Sequence, residues 1–112
     1  MNFWVNEREV AVYQPPGHYD TFNRLLLGRD FGGLQRMEVI VGEMGPGGYA
    51  APHAHGEREQ VMYVISGSLK VRVGSDEAVL SSGSAIAIPV NVVHEVWCVS
   101  PKAKFLVVYA RV

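Results

Sequence analysis

An all-β fold is what this sequence predicts, on three observations. Twelve glycines and six prolines cut the 112 residues into short pieces. The runs between them are rich in Val, Ile and Tyr, and many alternate apolar with polar residues. No window carries the 3.6-residue periodicity of an amphipathic helix. The length is that of one domain, residues 1–112, able to bury roughly two thirds of its unfolded surface without covalent staples.

Taken in order, Phe3–Val5 and Glu9–Tyr13 read as the first short strands, and Gln14-Pro15-Pro16-Gly17 as a break. The apolar segment Arg24–Leu27 is expected to pack over a sheet face, and 28–33 (GRDFGG) to turn. Gln35–Glu43 reads as a strand that Met44-Gly45-Pro46-Gly47-Gly48 ends. Tyr49–His55 is extended and Gly56-Glu57-Arg58 turns the chain. Gln60–Ile65 is a strand, Ser66-Gly67-Ser68 a tight hairpin and Leu69–Val73 the return strand. There Leu69, Val71 and Val73 share one face while Lys70 and Arg72 share the other, the pattern of a half-solvated sheet. A second hairpin at 74–77 leads to Ala78–Leu80. After a break at 81–83, Ala85–Ile88 is a short strand that Pro89 stops. Val92–Val99 and Lys104–Val112 complete the set.

The totals narrow the function classes. With 48% hydrophobic and 19% charged residues, the chain is globular rather than disordered. A net charge of -1 and a pI near 6.4 argue against a binder of nucleic-acid backbones. The lone Cys98 permits no disulfide within the chain and fits a reducing compartment. The N-terminus lacks the apolar core of a signal peptide, and no run approaches the length of a membrane span. The expectation is a soluble cytoplasmic protein. No Ser-His-Asp arrangement, phosphate loop or Cys-x-x-Cys is present.

Chemistry concentrates in 47–67, GGYAAPHAHGEREQVMYVISG. On a strand, His53 and His55 point to one side, the geometry of a bidentate metal clamp. Imidazole suits Zn, Cu, Fe, Ni and Co, and an oxygen ligand widens the choice toward Mn. The same alternation puts Tyr49 on the histidine face, as a candidate substrate contact or acid. Met62 and Val64 are expected in the cavity wall. Met44, Arg36, Glu38 and Tyr109 are further wall candidates of unassigned face. Cys98 shares a face with His94 and Val96 and reads as a buried, inert thiol. His18, after a Pro-Pro-Gly turn, reads as a surface residue.

The spacing of this stretch resembles the first motif of the cupin superfamily. Gly47 is followed by five residues and His53-Ala54-His55; six residues separate Gln60 from Gly67. Gly83, Pro89 and His94 stand at the spacings of the second motif, with Asn91 and Cys98 in place of its second glycine and final asparagine. Neither departure falls on a ligand position. The two motifs, about 47–67 and 83–98, span nearly half the chain. The resemblance implies a double-stranded β-helix, a jelly-roll-like conical barrel made of two antiparallel sheets. It implies one divalent transition metal inside, held by His53, His55, Gln60 and His94, with two positions open. Glu59 is the alternative to Gln60, but leaves seven residues before Gly67. An amide ligand is neutral, so the ion would keep its full charge and act as a stronger Lewis acid.

Three classes of function follow. The first is a Lewis-acid lyase, isomerase or decarboxylase acting on a small anionic or carbonyl-containing metabolite. The second is an Fe- or Mn-dependent dioxygenase, and the third a barrel that binds a small ligand without turnover. The resemblance also implies a homodimer, with the apolar N-terminal pieces lent to the partner's sheet edge.

Overall fold

A computed structural model describes residues 3–112; the first two residues of the expected domain lie outside the described residues. A 3-10 turn at Glu7–Glu9 precedes eight strands: β1 (His18–Leu27), β2 (Met37–His53), β3 (Arg58–Ser66), β4 (Ser68–Val73), β5 (Asp76–Ser81), β6 (Ala85–Ile88), β7 (His94–Cys98) and β8 (Ala103–Arg111). All pairings between them are antiparallel, in the order β5-β4-β7-β2-β8-β3-β6, with β1 also on β2. No helix among the described residues is long and apolar enough to cross a membrane.

β2 organises the molecule. Its first part, Met37–Met44, pairs with β8, and its last part, Tyr49–His53, pairs with β7. β1 follows the opposite edge throughout. The sheet therefore divides into an arm of β8, β3 and β6 and an arm of β7, β4 and β5. The arms curl onto each other, and their inner faces form one core. Met62, Val64 and Phe105 from the first arm pack in it with Leu69, Val71 and Val96 from the second. The result is a β-barrel.

The expected break at 44–48 is not there. None of Gly45, Gly47 and Gly48 has positive φ, so the strand bends but stays extended. Glycine is needed at two of these positions for close approach. A Cβ on Gly48 would lie 2.4 Å from the Met44 Cβ, and one on Gly45 2.4 Å from the Asp20 carboxylate.

The expected hairpin at Ser66-Gly67-Ser68 is also absent. β3 pairs with β6 and β8, whereas β4 pairs with β5 and β7. Gly67 (φ 79°) carries the chain from one arm to the other. The Ser68 N–H donates to Ser100 Oγ, and the Val99 N–H donates to the Ser68 carbonyl, so the β7–β8 corner claims the start of β4. Asn91 explains one departure noted above. It has φ 65°, a conformation asparagine tolerates better than most residues, so it can replace glycine there.

The N-terminal strands do not form. Residues 7–9 make the 3-10 turn, Tyr13 makes only a single bridge to Asn23, and Trp4 is 81% exposed. Nor does 24–27 simply cover an apolar face. β1 turns Thr21 and Asn23 inward, both buried, and leaves Phe22 and Leu25 exposed. Its inner face lines a cavity that is part polar and floored by core residues.

Candidate metal centre

The end of β2 and the first residue of β7 meet at one register position, His53 opposite His94. A bulge in the same pairing, between Ala50 and His53, sets the local orientation. Three β2 residues there span two of β7, so Ala50 and His53 share the inner face despite their odd separation. His55 follows two residues on. The ring centroids of His53 and His94 are 4.1 Å apart; His55 lies 5.1 Å from the first and 5.4 Å from the second. The nitrogens that could ligate all lie within 4.8 Å of one another.

Two of the rings are held by backbone. His53 Nδ1 lies 2.6 Å from the Ala51 carbonyl and His94 Nδ1 3.0 Å from the Val92 carbonyl. A carbonyl only accepts, so each Nδ1 carries the proton and each Nε2 keeps its lone pair. Such outer bonds fix the tautomer in which a histidine ligates metal. His94 is 2% exposed, and its Nε2 has no hydrogen-bond partner among the described residues. The same is true of His55 Nε2 and of Gln60 Oε1. Leaving a buried acceptor unpaired costs about 1–3 kcal/mol. A shared cation would satisfy all three at once, and the donor set of imidazoles and an amide oxygen suits a divalent transition metal.

A family model described as "Cupin domain" matches residues 40–109. The chain belongs to the cupin family. Among solved structures, this cupin is similar to the polyketide cyclase RemF from Streptomyces resistomycificus, at 28% identity and TM-score 0.84, covering 99% of this chain and 82% of that one. It is also similar to TT1209 from Thermus thermophilus, at 27% identity and TM-score 0.76, covering 98% of each chain. An RmlC-like cupin from Shewanella frigidimarina shares the fold at 18% identity and TM-score 0.84, over 100% of this chain and 93% of that one. Comparison with curated proteins finds no significant match.

The two candidates for the fourth ligand separate cleanly. Gln60, 7% exposed, faces the cavity with Met62, whereas Glu59 is exposed on the outer face with Val61 and Tyr63. Tyr49 is not on the histidine face, because alternation carried back from His53 fails at the bulge. Its ring instead stacks on Tyr19 and tilts against Trp97 on the outside. Its hydroxyl donates to Glu95, which also pairs with Arg72. That bond to a carboxylate is the main reason the phenol holds its proton above the usual tyrosine range.

Of the remaining expected wall residues, Met44, Met62 and Tyr109 line the inner cavity. Glu38 lines its mouth, Arg36 a separate surface hollow. Val64 is in the core but does not line the cavity. Cys98 is buried, its Sγ 3.2 Å from the Ser100 carbonyl. The inner cavity, about 30 Å³, has room for about one water-sized species. Above it a mouth of about 380 Å³ is shared by His18, His53, His55, Arg58 and Tyr109. Tyr13, Asn23 and Arg58 had no signal in the sequence, and His18, expected at the surface, is half-buried and lines the cavity. Three of them lie on or before β1, whose inward face is polar and irregular, and Arg58 lies in what reads as a turn.

Burial is the first cause of three lowered histidines, His18, His55 and His94. For His55, Arg58 adds to it, and the value falls from 6.5 to about 4. At neutral pH these rings are uncharged, as ligands must be. A folded value below the unfolded one means that the folded state resists protonation. The contribution to stability is complete above pH 6.5 and is lost as pH falls toward 4. The metal-free protein is therefore expected to melt at progressively lower temperature across this window. His55→Gln should flatten that slope, and an unchanged slope would contradict the assignment.

Proposed function

We propose that this cupin binds one divalent transition metal through His53, His55, His94 and Gln60. On this reading it uses the ion as a Lewis acid on a small anionic, carbonyl-containing metabolite, in lyase, isomerase or decarboxylase chemistry. One observation carries the proposal. Three imidazoles offer nitrogens within 4.8 Å of one another, the unpartnered Gln60 Oε1 lines the same cavity, and His53 and His55 also border a mouth that presents a cationic side chain, Arg58. When bound, the metal supplies polarisation of a carbonyl or carboxylate. The mouth is of the size that takes a small metabolite.

The chain's own residues account for recognition. The Arg58 guanidinium lies over the Tyr109 ring, 3.8 Å from its centre, and both line the mouth. Its pairing is loose: Nη1 is 3.5 Å from Glu38 and Nε 3.7 Å from Glu57, and Nε has no hydrogen-bond partner among the described residues. A substrate carboxylate would satisfy it in a charge-assisted bond. Burial holds the Tyr109 and Tyr13 phenols above their ordinary range. Both stay protonated at neutral pH and can donate a hydrogen bond, not accept a proton. Met44, Met62, Phe105 and Val107 form an apolar floor that limits water. The likeness to a polyketide cyclase supports the carbonyl part of the reading, because polyketides carry carbonyl groups. The lone buried thiol is in keeping with a cytoplasmic setting.

The test is turnover of small keto and hydroxy acids by metal-loaded protein without oxygen. Turnover only with oxygen would favour the dioxygenase, and tight binding without product a ligand-binding barrel. Arg58→Met is expected to weaken binding of small carboxylates about tenfold or more, the worth of one charge-assisted bond, with metal content unchanged. Equal carboxylate affinity in the variant would remove Arg58 from the recognition role.

A further inference from the structure

His18 carries the same structural signature as the ligand histidines. Its Nδ1 lies 2.9 Å from the carbonyl two residues earlier, Pro16. His53 and His94 bond to Ala51 and Val92 at that same offset. In each case Nδ1 is the proton-bearing nitrogen and Nε2 the free one. The His18 ring centroid is 5.6 Å from that of His53, close to the spacing of His55 from the other two ligand rings. It lines both the inner cavity and the mouth. No hydrogen bond to its Nε2 is made among the described residues.

The backbone is arranged to bring it there. Strict alternation along β1 would set His18 and Thr21 on opposite faces. The pairing is irregular between Tyr19 and Thr21, where Asp20 alone faces residues 45–48 of β2, and the chain turns there through Asp20 at φ 47°, so that His18 and Thr21 both line the cavity. The Asp20 carboxylate accepts the Gly47 N–H at 2.9 Å, and the missing side chain of Gly45 makes room for it. On the other side, the Ala51 N–H donates to the Gly17 carbonyl at 2.9 Å, while the Ala51 carbonyl holds His53. One residue thus braces both imidazoles. Opposite His18 in the register is Ala50, the smallest side chain that still lines the inner cavity.

We propose that His18 is a further metal ligand, bringing the protein's donors to four imidazoles and one amide. The inference rests on the metal reading above. His18 is not among the nitrogens already within 4.8 Å of one another, so it joins by rotation of its half-buried side chain toward the ion. An octahedral ion would then keep one open position rather than two. A substrate binding through two atoms would have to displace His18, the donor least tightly grouped with the others.

Co(II) binding to the whole chain tests this, with affinity read by chelator competition and ligand field by visible absorption. His18→Ala and His18→Phe are expected to bind Co(II) at least about tenfold more weakly, since even outer-shell partners of metal ligands are worth about 10–100-fold. Their visible bands should intensify as the coordination number falls. Phenylalanine keeps a ring in the wall, so it carries the test if the alanine variant folds poorly. Unchanged affinity and spectrum in a folded variant, with binding lost in His94→Ala, would overturn the role of His18 alone. No Co(II) binding by the unaltered chain would overturn the metal reading with it.

Discussion

Replacing His94 with alanine is expected to reduce divalent-metal uptake to background. His94 is the most buried of the clustered imidazoles, and its ring lies within 4.1 Å of His53 and 5.4 Å of His55. Its Nε2 has no partner among the described residues, while its Nδ1 is committed to the Val92 carbonyl. Neither neighbour can take its place, because it alone comes from β7. The loss should exceed the roughly 10–100-fold attached to outer-shell partners. His53→Ala with His55→Ala should give the same result from the β2 side. Elemental analysis after metal loading reads both. Full metal content in a folded His94→Ala protein would mean that the ion, if one binds, sits elsewhere.

Gly67→Ala is expected to be among the most destabilising single-methyl additions in the chain. Its φ of 79° disfavours any side chain, and a Cβ there would lie 2.1 Å from the Lys102 carbonyl oxygen and 2.8 Å from the Ala103 Cα. These are backbone atoms at the β7–β8 corner and cannot rotate away. Strain at such a position costs about 1–3 kcal/mol, and overpacking about 1–3 kcal/mol more. The sum is a large part of the roughly 5–15 kcal/mol that holds a domain folded. Gly83 is the control. It also has positive φ, at 92°, but nothing lies within 4 Å of its would-be Cβ, so Gly83→Ala should cost the strain term alone. Urea unfolding of the two variants separates them; equal midpoints would show that the crossing at Gly67 is not tightly packed.

The two glycines share a motif pattern but not a consequence, and the same division runs through the molecule. Alternation of Leu69, Val71 and Val73 against Lys70 and Arg72 told the inner face of β4 from its outer one, because a half-buried strand imposes that period. It told the same for Gln60 against Glu59. Alternation failed for Tyr49, which one extra residue separates from its expected face, and gave no hint of His18, beside which the chain turns at the positive φ of Asp20. A single inserted residue reverses every later side chain while leaving composition and spacing unremarkable.

By itself, the sequence determined the β class, most strand positions from Gln60 onward, and the histidines able to share one ion, because these follow from local periodicity and from motif spacing. Only the tertiary structure decided that β2 runs unbroken through its glycines, that Gly67 changes arms instead of closing a hairpin, and that Arg58 and His18 stand over the trio. Those outcomes depend on which distant strand claims a backbone N–H or carbonyl. Ser100 does so at Ser68, Asp20 at Gly47 and Gly17 at Ala51, and no local window of the chain contains both partners.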